Sequence, residues 1–249
     1  MRILPDVFAK QYARFMMQVE RASGAPFVSF REGLPFKWEG YKEKLRDLAL
    51  HRLDVETWTR ADIGTGKFID KVIEIVEVNE PALDVRNNLV AWDGRYGPSA
   101  RSHAGLYRAK GHPNSRLDLD LWLFDFFHGE LTDSLAFERF RKSVGSRYDL
   151  LAYLYFLRDW TKYMPIAPQT FDRAFALLGI ELVTSGHCSW MNYSDYNDAL
   201  RAVQRSLQEV AGLDDARLID AHSFCWMLVR PELALAPDHV QGRDERDSD

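Results

Sequence analysis

Residues 86–116 carry the side chains best suited to chemistry with a charged partner. They hold six cations against one acid, Asp93, and so have a net charge of +5 in a chain whose net charge is −5. Aromatic residues, histidines and glycines are interleaved with these cations. Arginine and lysine bind phosphate, aromatic rings stack on bases, and glycines let backbone amides approach an anion closely. The composition therefore favours a phosphate-bearing partner, with nucleic acid as the leading candidate.

The residues that we predict to contact nucleic acid fall into two groups, cations for the phosphates and aromatic rings for the bases. The predicted cations are Arg86, Arg95, Arg101, Arg108, Lys110 and Arg116, and the predicted aromatic residues are Trp92, Tyr96 and Tyr107. The alternative is a solvated loop whose arginines pair with acids of neighbouring helices, such as Asp118, Asp120 and Glu130. The net negative charge of the chain does not distinguish between these two interpretations, because residues 232–249 alone contribute −4 of it.

A second set of candidates combines cysteine with histidine near the carboxyl end. Cys188 follows His187, and Cys225 lies three residues after His222. Two cysteines and two histidines would suit tetrahedral zinc, but the side chains of adjacent residues do not converge on one ion, so we predict no metal and no cofactor. Cys188 as nucleophile with His222 as base is the catalytic alternative.

Two shorter motifs have part of the pattern of a phosphate or metal site. Residues 64–67 read Gly-Thr-Gly-Lys, but the upstream glycine of a phosphate-binding loop is missing and Phe68 replaces its hydroxyl residue. Asp118 and Asp120 form a D-x-D motif, yet acids in the first turn of a helix are ordinary complements of its dipole. We therefore interpret both motifs as features of helix starts.

Size and composition describe a folded chain without a membrane segment. The 249 residues are 46% hydrophobic, which is ample for the core of one large domain or two small ones. Asp6, Lys10 and Arg14 interrupt the apolar run that a secretory signal needs, and no stretch reaches the roughly 18 apolar residues of a membrane span. We expect a cytoplasmic protein with reduced cysteines.

Hydrophobic residues at helical spacing dominate the chain and predict a mainly α fold. We expect a compact multi-helix domain of about nine helices with at most a few short strands. Residues 85–92 are predicted to be helical, and the apolar stretches 117–127 and 149–164 are predicted to form buried central helices. The expected organisation is a helical half over 1–92, a basic loop over 93–116, a second helical half over 117–230 packed on the first, and a disordered acidic tail over 231–249.

Three functional hypotheses follow from these patterns. The leading one is a non-enzymatic protein that binds nucleic acid or another polyanion through residues 86–116. The second is an enzyme with a Cys/His site in the carboxyl-terminal half. The third is a helical module whose aromatic faces pack against a protein partner.

Overall fold

Helices make up most of the structure, a computed structural model that describes residues 1–94 and 101–230. In chain order the helices are α1 (Pro5–Ser23), α2 (Gly33–Glu39), α3 (Tyr41–Leu53), α4 (Lys67–Val76), α5 (Ala104–Gly111), α6 (Pro113–Phe127), α7 (Asp133–Val144), α8 (Tyr148–Arg158), α9 (Pro168–Leu177), α10 (Trp190–Glu209) and α11 (Leu218–Leu228). Strands β1 (Asn79–Glu80) and β2 (Val85–Arg86) form an antiparallel pair. The mainly α prediction is confirmed, with eleven α-helices in the described residues where about nine were expected.

One hydrophobic core runs through both predicted halves. Helix α8 is buried along nearly its whole length, as its apolar sequence predicts, and the first helix, α1, packs against the last, α11. Tyr153 and Tyr193 bring hydroxyl groups into this core, where they donate to the carbonyl oxygens of Ile75 at 3.1 Å and Met164 at 2.9 Å. These bonds keep the buried hydroxyls satisfied.

Gly40 separates α2 from α3. Gly40 donates to the carbonyl oxygen of Phe36 at 2.8 Å, and a Cβ at Gly40 would lie 2.6 Å from that oxygen. No side chain fits so close to a carbonyl, so glycine suits the turn between the two helices. The turn brings Glu39 and Lys42 to the protein interior from adjoining helices.

The predicted basic loop over 93–116 is largely helical in its described part, which is a correction. Helix α5 occupies Ala104–Gly111 and α6 begins at Pro113. The loop prediction rested on the glycines and charges, but Leu106 and Ala109 face the core at helical spacing. A Cβ at Gly105 would lie 2.5 Å from the carbonyl oxygen of Val144, so this glycine serves close helix packing.

The predicted helix over 85–92 is also wrong, because the segment is strand β2 followed by an irregular loop. Asn87 is fully buried, and its side-chain amide donates to the carbonyl oxygens of Ile75 at 3.3 Å and Val76 at 3.1 Å at the end of α4. Its side-chain oxygen accepts from the backbone N–H of Leu89 at 2.9 Å. The Asn87 side chain thereby satisfies backbone groups at the end of α4 and in its own loop that would otherwise need partners in a helix.

Across residues 1–94 and 101–230, no helix combines the length and the hydropathy that a bilayer crossing requires.

Candidate functional site

Three of the five predicted phosphate-binding cations that the structure describes have partners within the protein. Arg86 pairs with Asp93 at 2.5 Å and lies over the ring of Trp92, 5.7 Å from its centroid. Lys110 pairs with Asp70 of α4 at 2.5 Å. Arg116 donates from Nε to the carbonyl oxygen of Gly64 at 2.8 Å. The acids involved are not those that the sequence suggested.

The side chains of the other two described cations, Arg101 and Arg108, form neither an ion pair nor a hydrogen bond with another described residue. Arg101 and Arg108 are exposed, and neither forms an ion pair among the described residues. A Cβ at Gly94 would lie 3.5 Å from Nε of Arg101, so this guanidinium lies over residue 94. The predicted contacts Arg95 and Tyr96 lie outside the described residues.

The aromatic members of the segment are engaged in the fold. The indole N–H of Trp92 donates to the carbonyl oxygen of Asn87 at 2.8 Å, and the ring is half-buried. The hydroxyl of Tyr107 donates to Glu77 at 2.9 Å, and burial, followed by the charge of Glu77, raises the pKa of this tyrosine. His103, fully buried beside it, contacts the same carboxylate at 2.6 Å. Tyr107 and His103 thus attach the segment to Glu77, directly after α4, whereas Trp92 is bonded within its own loop.

The Gly-Thr-Gly-Lys loop binds an anion that the protein itself supplies. Asp120 is fully buried, and one carboxylate oxygen accepts from the backbone N–H of Gly64 at 2.9 Å and of Gly66 at 2.7 Å. Both glycines have positive φ, which aims their amides at one point. Burial raises the pKa of Asp120, while the amide bonds oppose that shift. The loop is therefore filled by a carboxylate, in agreement with its interpretation as a helix-start feature.

A cleft of about 520 Å³ opens beside the loop that carries the start of the basic segment. One wall is formed by residues 88–91, and aromatic side chains from α2, α3 and α11 form the others. The aromatic residues are Trp38, Tyr41 and Trp226. A narrow recess of about 40 Å³ shares much of this lining and reaches Lys42 and His222. Clefts of this size and mixed lining are the usual form of ligand sites.

The recess ends at a buried cluster of three polar side chains. Lys42 is 2% exposed, and its ammonium donates to the carboxylate of Glu39 and, at 2.8 Å, to Nδ1 of His222. The other ring nitrogen of His222 lies 3.1 Å from the carbonyl oxygen of Pro165. A carbonyl only accepts, so Nε2 carries the proton and Nδ1 is the acceptor for Lys42. The geometry thus requires a neutral histidine between a carbonyl and an ammonium.

The electrostatics of the cluster agree with that assignment. Burial and the neighbouring Lys42 charge lower the pKa of His222 well below its ordinary value. Burial lowers the pKa of Lys42, although Glu39 acts in the opposite sense. A buried ammonium is stable only when it is paired and hydrogen-bonded, and Glu39 supplies the pairing.

One arginine and one carboxylate lie in the lining of the cleft. Arg230 lines the cleft, with its guanidinium 4.6 Å from the centroid of the Trp226 ring. Ser102, the residue after Arg101, donates from its hydroxyl to Asp149 at 2.7 Å and from its backbone N–H to the carbonyl oxygen of Ala91 at 2.8 Å. Asp149 and Ala91 both line the cleft. These bonds attach the start of the segment after residue 100 to the cleft wall, while the Arg101 guanidinium itself lies over residue 94.

The Cys/His candidates are not brought together by any contact in the described residues. His222 binds Lys42 and Pro165, whereas Cys188 lies in the loop before α10 and Cys225 is fully buried. Burial raises the pKa of Cys188 to about 12. Within the described residues no three histidines, cysteines or acids are arranged to hold a metal ion.

We expect Cys188 to be alkylated by iodoacetamide roughly 1000-fold more slowly than a free cysteine at pH 8, because the thiolate is the reactive form. Its pKa of about 12 leaves very little thiolate at that pH. The rate is measured by mass spectrometry of the native protein, with the urea-unfolded protein as control. Alkylation of native Cys188 at the free-cysteine rate would instead support the catalytic hypothesis.

Sequence reasoning missed Lys42 and Glu39, although one signal was present. Lys42 shares the buried stripe of α3 with Leu45, Ala49 and Leu53 at helical spacing. A lysine on an apolar stripe marks a buried charge that needs a partner. Nothing in the sequence identifies that partner as His222, 180 residues away.

Comparison of the chain with protein-family models, curated proteins and solved structures gave no match.

Proposed function

We propose that the protein binds nucleic acid along the rim of the cleft, with arginines of residues 86–116 holding phosphate groups. One observation carries this proposal: residues 88–91, at the start of the basic segment, are also a wall of the cleft. The segment that carries the positive charge therefore begins beside an aromatic-walled opening, with Arg86 two residues before the wall. Phosphate contacts together with aromatic platforms are the combination that single-stranded nucleic acid requires.

Arg86 and Arg101 are the strongest phosphate ligands in this proposal. Arg101 is exposed and forms no ion pair with another described residue, and Arg86 is 45% exposed although it pairs with Asp93. Both guanidinium groups can make bidentate contacts to phosphate.

The far end of the segment contributes less. Arg108 and Lys110 lie on α5 beside α4, which carries Asp70 and Glu74 and is followed directly by Glu77. These carboxylates repel phosphate and thus limit the favourable surface to the part nearest the cleft. We assign Arg116, Trp92 and Tyr107 to holding the segment in place, because each is already bonded to the protein.

The test is the affinity for mixed-sequence DNA and RNA oligonucleotides measured over a series of salt concentrations. The logarithm of the association constant should fall with the logarithm of salt concentration, with a slope of about −0.7 for each single-strand phosphate contact. We expect Arg101→Ala to weaken binding and to reduce that slope by about one contact.

Arg14→Ala is the matched control, since Arg14 is exposed on α1 outside the segment. It should leave both the affinity and the slope unchanged. Salt-independent binding, or no binding, would refute the proposal. Equally strong competition by inorganic polyphosphate would replace nucleic acid with a general polyanion.

A further inference from the structure

We propose that the cleft receives a single nucleobase turned out of a nucleic-acid strand, and that it favours a base with an exocyclic oxygen. This inference rests on the proposed function, because the phosphates of the same strand would lie on the rim arginines. It adds to the proposed function the chemical class of the group that the cleft recognises, which is a nucleobase.

The walls of the cleft suit a flat aromatic ring. Trp38, Tyr41 and Trp226 present ring surfaces to the space, and Leu89 and Ile166 add aliphatic contacts. Bases of any type stack on aromatic side chains, so these walls supply affinity without strong selectivity. Base-modifying enzymes hold an extruded base in the same way, between aromatic or apolar side chains.

The recess supplies the selectivity. Its volume of about 40 Å³ is too small for a ring, but it accommodates one small substituent. Lys42 and His222 line it, and an ammonium group has three N–H donors. Among the described residues Lys42 meets two acceptors, Glu39 and His222, so one donor is left for a ligand.

A carbonyl oxygen is the substituent that fits this donor. Guanine and thymine present carbonyl oxygens on the edges that proteins read, whereas adenine presents an amino group at the equivalent position. An amino group facing the Lys42 ammonium would place two donors together with no acceptor between them. The cluster therefore predicts preference for thymine, uracil or guanine over adenine.

The charges at the opening match the rest of such a ligand. Arg230 lines the cleft, and Arg101 lies over residue 94 and precedes Ser102, which bonds to the wall residue Ala91; Glu39 is paired with Lys42 and Asp149 is hydrogen-bonded. A backbone whose base enters the cleft must place its flanking phosphates at this rim. Extrusion costs least when the base is unpaired, so an unpaired base should be the preferred target.

The experiment compares dissociation constants for three otherwise identical DNA duplexes, measured by fluorescence anisotropy. One is fully paired, one carries a single unpaired thymine, and one carries a single unpaired adenine. We expect the thymine duplex to bind about tenfold more tightly than the paired one, with the adenine duplex between them.

Leu89→Trp should abolish this preference by filling the cleft, so that the thymine duplex binds no more tightly than the paired duplex. Leu135→Trp is the matched control, because Leu135 is 55% exposed on α7 and outside the cleft lining. Ala167→Phe fills the same cleft from the opposite wall and provides a second variant in case Leu89→Trp does not fold. Circular dichroism establishes that each variant is folded.

The outcomes separate this inference from the proposed function. Equal, salt-dependent affinity for all three duplexes would overturn the base-binding inference and leave the phosphate contacts standing. No binding to any duplex or single strand would overturn both. A preference for thymine that survives in two folded cleft-filling variants would place the base elsewhere and overturn the inference.

Discussion

Replacement of Lys42 by methionine is expected to lower the free energy of unfolding by about 3–5 kcal/mol, the typical cost of removing one partner of a buried ion pair. Lys42 is 2% exposed and Glu39 is 7% exposed, so the substitution leaves a carboxylate in the interior without its cation. It also removes the donor to Nδ1 of His222. Urea denaturation followed by circular dichroism measures the change.

Two further variants separate the charge from the side-chain packing. Lys44→Met is the matched control, because Lys44 is exposed on the same helix, and it should change stability by less than about 0.5 kcal/mol. In the double variant Glu39→Gln/Lys42→Met the uncompensated charge is gone, and we expect much of the lost stability to return. A loss below about 1 kcal/mol for Lys42→Met alone would show that Glu39 does not depend on this ammonium.

The second large effect is expected at Asp120. Asp120→Leu leaves the backbone N–H groups of Gly64 and Gly66 without their acceptor, at a cost of about 1–3 kcal/mol each when the groups stay buried. We therefore expect a loss of about 2–5 kcal/mol in the free energy of unfolding. The loop precedes α4, so hydrogen exchange should increase first at the amides of residues 64–69.

The D-x-D motif contains its own control for this effect. Asp118 is exposed, and Asp118→Leu should leave stability within about 0.5 kcal/mol of the wild type. Asp120→Asn retains a side-chain oxygen that can accept from both amides, and it should cost clearly less than Asp120→Leu. Similar losses for Asp118→Leu and Asp120→Leu would show that the loop does not depend on the buried carboxylate.

The helices that rest on periodicity were predictable from the sequence. Helix α1 begins at Pro5 and buries Phe8, Phe15 and Val19, the spacing that marks an amphipathic helix. Helix α8 was predictable for a different reason, since a stretch that is apolar on every side has to be central. In both cases the signal is local, so no knowledge of the tertiary structure was needed.

The segments that form the site depend on contacts between distant parts of the chain, and sequence reasoning failed there. The loop over 87–91 forms because the Asn87 side chain binds the end of α4. No local sequence pattern predicts this contact. His222 was selected from the sequence, but with Cys188 as its partner, whereas the structure gives it Lys42. Pairing over such separations is set by the packing of α3 against the rest of the core.

The basic segment was identified correctly as a run of charge, but its individual residues divide in a way that the sequence did not show. Arg116 and Tyr107 are bonded within the fold, while Arg101 and Arg108 are exposed and pair with no acid in the described part of the chain. Sequence alone predicts the number of cations, and only the packing of α5 on α4 decides which of them face solvent.

The most direct test of nucleic-acid binding at the cleft rim is photocrosslinking of a bromodeoxyuridine-containing oligonucleotide, followed by identification of the crosslinked peptides. We predict that the crosslinks fall on residues 86–94 and on the cleft aromatic residues Trp38, Tyr41 and Trp226. Arg101→Ala should reduce their yield, and Arg14→Ala should not. Crosslinks confined to α7 or α10, or a yield that does not change with salt concentration, would contradict the proposed site.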